Sequence, residues 1–299
     1  MSSAGAGIDQ PLLSPDFLRQ LDRLTVASRR PPMGVLQGER RSPRRGQAVE
    51  FADFRPYTPG DDPRLVDWNA YARLERFFLK LFVEEEDAMV HLLIDTSKSM
   101  GWGEPAKLDF AKSVAAGVAY IALANLEWIA VSPFTSTLGA PPRPQRGRTA
   151  APRLFAMLAD LRPAGGTDLA AAVRRYAATV RRPGPLLVLS DLYDPGWQDA
   201  LRAAAGARFD VSVIHILSPE EVAPAFEGDL RLIDDETEEI VEVSADGDAM
   251  ERYRELLDGW RSEIQAWCAK RAMPYVPVAT DFPLEAFVLE VLRKKGVVG

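Results

Sequence analysis

Cysteine, histidine and long apolar runs are what this 299-residue chain has least of, and each scarcity closes off a class of chemistry. The single cysteine, Cys268, excludes an intramolecular disulfide, and its setting in EIQAWCAKRA reads as a small apolar residue on a helix face. Only two histidines occur, His91 and His215, each inside an apolar strand-like run (VHLLID and VIHIL), where a packed core imidazole is the ordinary expectation. A Ser-His-Asp triad is therefore poorly supported. No GxxxxGK(S/T) phosphate loop is present, so nucleotide hydrolysis by that route is not expected. The longest apolar candidate, SVAAGVAYIALANL between Lys112 and Glu127, is shorter than the ~20 residues a membrane crossing needs. The N-terminus, MSSAGAGIDQPLLSPDF, lacks a basic start followed by an apolar core, so no secretory signal and a cytoplasmic location are expected.

What is present fits a large α/β protein: with 47% hydrophobic residues the chain can bury a real core, as one domain plus an extension or two domains sharing a core. The formal net charge of -7 favours solubility and draws the molecule neither to nucleic acid nor to anionic membrane. A basic exception lies early. Arg29, Arg30, Arg40, Arg41, Arg44 and Arg45 cluster with Pro31, Pro32 and Pro43 and only Glu39 opposing them, which reads as an exposed, partly disordered arm or, alternatively, a docking site for an acidic partner. The acidic runs Glu84 to Asp87 and Asp234 to Glu239 read as solvated turns, since neither has the glycine spacing of a calcium loop.

Periodicity predicts a short amphipathic helix over 16–28 after Ser14-Pro15, then a strand over 77–83. From residue 89 the pattern alternates: apolar 89–94, helical 106–124, apolar 128–134, helical 150–161 and 168–181, apolar 185–190, helical 196–205, apolar 210–217. Such alternation means a mostly parallel sheet wound on both faces, the Rossmann-type architecture, with binding expected beyond the carboxyl ends of its strands. A hairpin over 230–233 and 240–243, a helix over 248–270, a strand over 275–278 and a last helix over 283–294 complete the reading. Three regions result: 1–45, helix and basic arm; 46–87, a segment in which Tyr57, Trp68 and Tyr71 alternate with paired charges, expected to wrap the main domain; and 88–299, the α/β domain.

The chemistry gathers in three short segments. Asp95-Thr96-Ser97-Lys98-Ser99 follows the first apolar run, and in an extended segment its odd positions can converge on one side. Gly165-Gly166-Thr167-Asp168 offers a close backbone approach, and Ser190-Asp191 ends a second strand-like run. The donors are all oxygens, which suits a hydrated Mg²⁺ or Mn²⁺. Asp168 reads either as an outer ligand or as the start of the next helix.

In this order DTSKS, GGTD and SD resemble the metal-ion-dependent adhesion site of von Willebrand factor A domains. The resemblance implies a metal bound by the hydroxyls of Ser97 and Ser99, with Asp95 usually binding through water, Thr167 and Asp191 completing the shell directly or through water, and a vacant position for a partner's Asp or Glu. The stretch VEFADFRPYTPGDDPRLVDWNAYARLERFFLKLF, with IHILSPEE, LIDDETEE and the late helix around Tyr253, resembles the bacterial domain of unknown function 58 family, which joins such a segment to an A-type domain. Members of that family are commonly associated with MoxR-type AAA+ ATPases, so the resemblance implies a non-enzymatic adaptor or co-chaperone. The alternatives are a metal-assisted hydrolase of phosphate or peptide substrates and a metal-free scaffold. The phosphatases of similar sheets carry a second carboxylate two residues after the first, where this chain has Ser97.

Overall fold

In the computed structural model the described residues are 12–28, 49–59, 61–62, 66–84, 89–139, 143–225, 228–233 and 240–299. The arginine-rich arm, most of the first acidic run and the acidic turn 234–239 lie outside them. Contacts divide the chain into two units, residues 30–88 and everything else, and the N-terminal helix belongs to the larger one.

That helix, α1 (Pro15–Leu21), is started by Ser14, whose hydroxyl accepts the Phe17 N–H at 3.1 Å, with Pro15 in its first turn. It is shorter than the helix expected over 16–28. Thr25 and Ala27 donate their N–H groups to the carbonyls of Gly299 and Val297, each at 3.0 Å, and Val26 bridges Val298 antiparallel. Pairing with the chain's last residues overrides helical spacing there, and the β-branched Thr25-Val26 pair suits the extended backbone.

The smaller unit is an antiparallel pair, β1 (Val49–Pro56) and β2 (Phe78–Glu84), with a bulge between Phe51 and Asp53. Between them α2 (Trp68–Leu74) is capped by the Asp67 carboxylate, which accepts from Asn69 N–H at 2.9 Å and Ala70 N–H at 3.2 Å. Tyr71 stacks on Phe77 at 4.4 Å between ring centroids, and Arg55 pairs with Asp61 at 2.9 Å.

In the larger unit the chain runs β3 (Met89–Asp95), α3 (Lys107–Ala124), β4 (Trp128–Phe134), β5 (Gln145–Arg146), α4 (Ala151–Ala159), α5 (Leu169–Thr179), β6 (Pro185–Ser190), α6 (Trp197–Gly206) and β7 (Asp210–Leu217). It continues through α7 (Pro219–Val222), the antiparallel pair β8 (Gly228–Ile233) and β9 (Ile240–Ala245), α8 (Gly247–Ala269), β10 (Tyr275–Ala279) and α9 (Leu284–Ala286). The last expected helix is π-helical over Phe287–Leu292. The main sheet has the order β10-β7-β6-β3-β4-β5, parallel except for the edge strand β5, which was too short to show in periodicity.

Both faces of this sheet are buried, which is why its strands read as unbroken apolar runs. Val90, Leu92, Ile94, Leu187, Leu189, Ile214 and Ile216 enter one core, covered by α1, α3, α4 and the C-terminal helix. Leu93, Leu186, Val188, Val211 and Val213 enter the other, covered by α5, α6 and the end of α8. The doubly wound, mostly parallel α/β architecture is thus present. After β3 the chain builds outward to β4 and β5, then returns to lay β6 on the opposite side of β3. The switch point therefore lies between the carboxyl ends of β3 and β6, which end in Asp95 and Ser190.

Candidate functional site

Asp95 is the final residue of β3 and is fully buried. Its Oδ1 accepts the Ser97 N–H at 3.0 Å, an Asx-type turn that ends the strand, and its Oδ2 accepts the Ser190 hydroxyl at 2.7 Å from the neighbouring strand. The turn brings Ser97 Oγ to 2.9 Å from Ser99 Oγ. The odd positions of DTSKS therefore converge.

Backbone bonds bring the glycine loop to this turn. Ala164 N–H donates to Thr96 O at 2.8 Å, Lys98 N–H donates to Gly165 O at 2.9 Å, and Gly166 O accepts from Ser136 N–H at 2.6 Å. Gly165 sits at φ 68°, the left-handed region that glycine enters without a Cβ penalty. Thr167 follows, half-buried, and Asp168 caps α5 by accepting the Ala171 N–H at 2.8 Å. Of the two readings of Asp168, the helix cap is the one its geometry displays.

Asp191, 1% exposed, follows β6 directly. Its Oδ1 accepts from Tyr193 N–H at 3.3 Å, and its Oδ2 accepts from Lys107 Nζ at 2.8 Å. Lys107 Nζ donates a second bond to Glu221 Oε1 at 2.6 Å, and the lysine side chain is 1% exposed. Burial, then the nearby charge of Asp191, push the Asp95 carboxyl well above the usual carboxylate range, while the bonds from Ser97 and Ser190 pull it back.

Two buried carboxylates that repel each other, with the Ser97 and Ser99 hydroxyls and the loop of Thr167 at the same turn, are oxygen donors of the kind a hard divalent cation takes, although the Lys107 ammonium already stands on one of them. Among the described residues no group of three or more His, Cys, Asp or Glu could hold a metal, so any such ion would depend on the hydroxyls. Each oxygen of Asp95 and of Asp191 accepts a protein donor, and the Ser97 and Ser99 hydroxyls are bonded to each other, so an incoming ion would exchange places with hydrogen bonds already made.

Lys107 and Glu221 were given no role by the sequence, and Ser190, noted there with Asp191, was not expected to donate to Asp95. Ser190 carried a signal, a hydroxyl closing an apolar strand one residue before Asp191. Lys107 carried none, because a lysine near a helix start is ordinarily solvated. The histidines are core groups: His91 Nδ1 lies 2.7 Å from Tyr176 OH and its Nε2 3.0 Å from Arg182 O, and His215 Nδ1 lies 2.6 Å from Tyr275 OH. Burial pushes His91 down to about 4 and His215 down to about 3.

The sequence model of the family described as "Protein of unknown function DUF58" matches residues 53–259. An uncharacterized protein of Mycobacterium tuberculosis is 28% identical over 282 residues, covering 92% of this chain and 87% of its own. An uncharacterized protein of Mycobacterium avium is 30% identical over 129 residues, 43% of this chain and 76% of that one. Among solved structures, the conserved hypothetical protein BatB of Bacteroides thetaiotaomicron aligns at 15% identity and a TM-score of 0.42, covering 70% of this chain and 98% of that one. A von Willebrand factor type A protein of Catenulispora acidiphila aligns at 18% identity and a TM-score of 0.36, covering 47% and 35%. At such scores the shapes agree only loosely; strand order and direction are what identify the fold. Among the described residues no helix is long and apolar enough to cross a membrane.

Proposed function

This chain belongs to the DUF58 family, and from that premise we propose that it is a non-enzymatic, cytoplasmic protein-interaction module that binds a partner's carboxylate through a divalent cation. The observation that carries the reading is the meeting of Asp95, Ser97 and Ser99 with Asp191 at the switch point, with the loop of Thr167 tied to the same turn by backbone hydrogen bonds. Mg²⁺ or Mn²⁺ would be held by Ser97, Ser99 and Thr167, with Asp95 and Asp191 completing the shell. Held largely by neutral hydroxyls, the ion would keep the Lewis acidity that attracts an outside Asp or Glu. The family resemblance supports a MoxR-type AAA+ ATPase, or its client, as the protein that offers this acid, and hence an adaptor or co-chaperone role.

Calorimetry with MgCl₂ or MnCl₂ tests the site. The wild type takes up one ion and Asp95→Ala does not; equal binding by both would reject the site. The bridging mode is tested separately, by capture of the ATPase with and without chelator. Capture that persists after chelation and in Thr167→Ala would reject the bridge. Phosphoester turnover that disappears in Asp191→Ala would instead favour the hydrolase.

A further inference from the structure

Lys107 stands where local preferences argue against a lysine. It is the first residue of the 18-residue helix α3, so its charge lies at the positive end of the helix dipole, and its side chain is almost wholly removed from water. Both penalties are offset by the contacts it makes inside the site. Its ammonium bonds Asp191 Oδ2 at 2.8 Å and Glu221 Oε1 at 2.6 Å and lies 5.0 Å from the centre of the Tyr193 ring. Glu221 is fixed in turn, since its Oε2 accepts the Ser218 N–H at 2.6 Å and its own N–H donates to Ser218 Oγ at 3.2 Å, a capping box on α7. Glu221 and Lys107 come from elements 114 residues apart, so the pair is assembled by the fold.

We propose that Lys107 is a built-in counter-ion that tunes the metal site: it occupies Asp191 Oδ2, holds that carboxylate out of direct coordination, and sets the affinity for the divalent ion low enough that the ion stays short of ligands and open to a partner's acid. This rests on the reading of the site given above and adds its regulation. The physical reason is competition for one carboxylate oxygen in a low-dielectric pocket. An ammonium already on Asp191 lowers the negative potential felt by an incoming cation and must be displaced, or tolerated nearby, when the ion binds. Without it, Asp191 could bind the ion directly, and the more neutral complex would attract an outside carboxylate less.

The test is calorimetry with MgCl₂ alone, at fixed ionic strength, on the wild type, Lys107→Met, Lys107→Arg and Glu221→Gln, with circular dichroism to verify folding. Lys107→Met binds Mg²⁺ about tenfold more tightly or better, because it removes a buried positive charge beside the ion. Lys107→Arg keeps the charge and stays near the wild type. Glu221→Gln retains the cap, since Gln also serves in the capping box, but leaves Lys107 to Asp191 alone, so it binds Mg²⁺ more weakly. The two shifts follow the charge each variant removes, and Lys107→Arg, which keeps the charge, separates that effect from a loss of packing. If Lys107→Met does not fold, Glu221→Gln decides: unchanged or tighter binding there overturns the proposal. Wild-type binding with unchanged or weaker binding in Lys107→Met overturns it alone, whereas no binding by any of the four proteins sinks the parent reading and this inference with it.

Discussion

Ser190 donates its hydroxyl to Asp95 Oδ2 at 2.7 Å across the gap between two strands, a buried bond to one of the site's two carboxylates. Ser190→Ala leaves a buried carboxylate oxygen without that donor, which costs about 1–2 kcal/mol of stability in urea denaturation. It also raises the Asp95 carboxyl further, since a bond to the charged form is lost, so Mg²⁺ binding weakens near neutral pH and recovers in calorimetry at higher pH. The histidines give a pH dependence of known sign. Both are held far below the ordinary imidazole value, so the unfolded chain takes up protons below about 6.5 that the folded chain refuses, and their contribution to stability is lost as the pH falls towards 4. Asp95 acts oppositely. Its raised carboxyl makes the folded state keep a proton that the unfolded chain releases, so its contribution falls as the pH rises from about 4. Asp95→Asn removes this opposition, and acid destabilisation between pH 7.5 and 5 then steepens towards about 2 kcal/mol per histidine by urea denaturation; a slope unchanged from the wild type would contradict the balance. Asp95, Ser97, Ser99 and Asp191 were legible in sequence because each lies at or just beyond the end of an apolar strand. Lys107 and Glu221 were not, because tertiary packing alone brings them to Asp191 from distant elements.

The elements of the main sheet were legible for a related reason. A strand buried on both faces must be apolar throughout, and β3, β4, β6 and β7 announce themselves in that way, separated by helices of ordinary spacing. The pattern failed where a partner distant in sequence decides the backbone. β1 mixes Glu50, Asp53 and Arg55 among its apolar residues and is a strand through its ladder with β2, while the end of the expected first helix is straightened by the chain's last residues. The second case makes a prediction about an element rather than a side chain. Val298 is 2% exposed, pairs with Val26 and belongs to the core beneath α1. Val298→Asp buries a charge there and loosens both segments, with an expected loss of about 3–5 kcal/mol in urea denaturation and early hydrogen exchange at Thr25 and Ala27. Exchange there as slow as in the wild type would mean that the two ends do not depend on each other.

For the whole molecule the question is how an ion bound at the switch point would register globally. Ser97 and Ser99 follow β3, Thr167 precedes α5 and Asp191 follows β6, so an ion held by all of them joins segments that only the folded state brings together. Mass action then stabilises the fold by about 2.7 kcal/mol when free ion exceeds its dissociation constant a hundredfold. At about 2–4 °C per kcal/mol for a domain of this size, the melting temperature rises by roughly 5–10 °C. A chain with a formal net charge of -7 also gains stability from general screening, so the comparison that matters is MgCl₂ against NaCl at equal ionic strength. The excess shift with MgCl₂ should vanish on adding chelator and be absent in Ser99→Ala and Thr167→Ala, whose half-buried side chains can be shortened with little harm to packing. Screening treats every exposed carboxylate alike and cannot tell these variants from the wild type, whereas an ion gripped by hydroxyls must. An equal excess in all three proteins would place the cation elsewhere on the molecule.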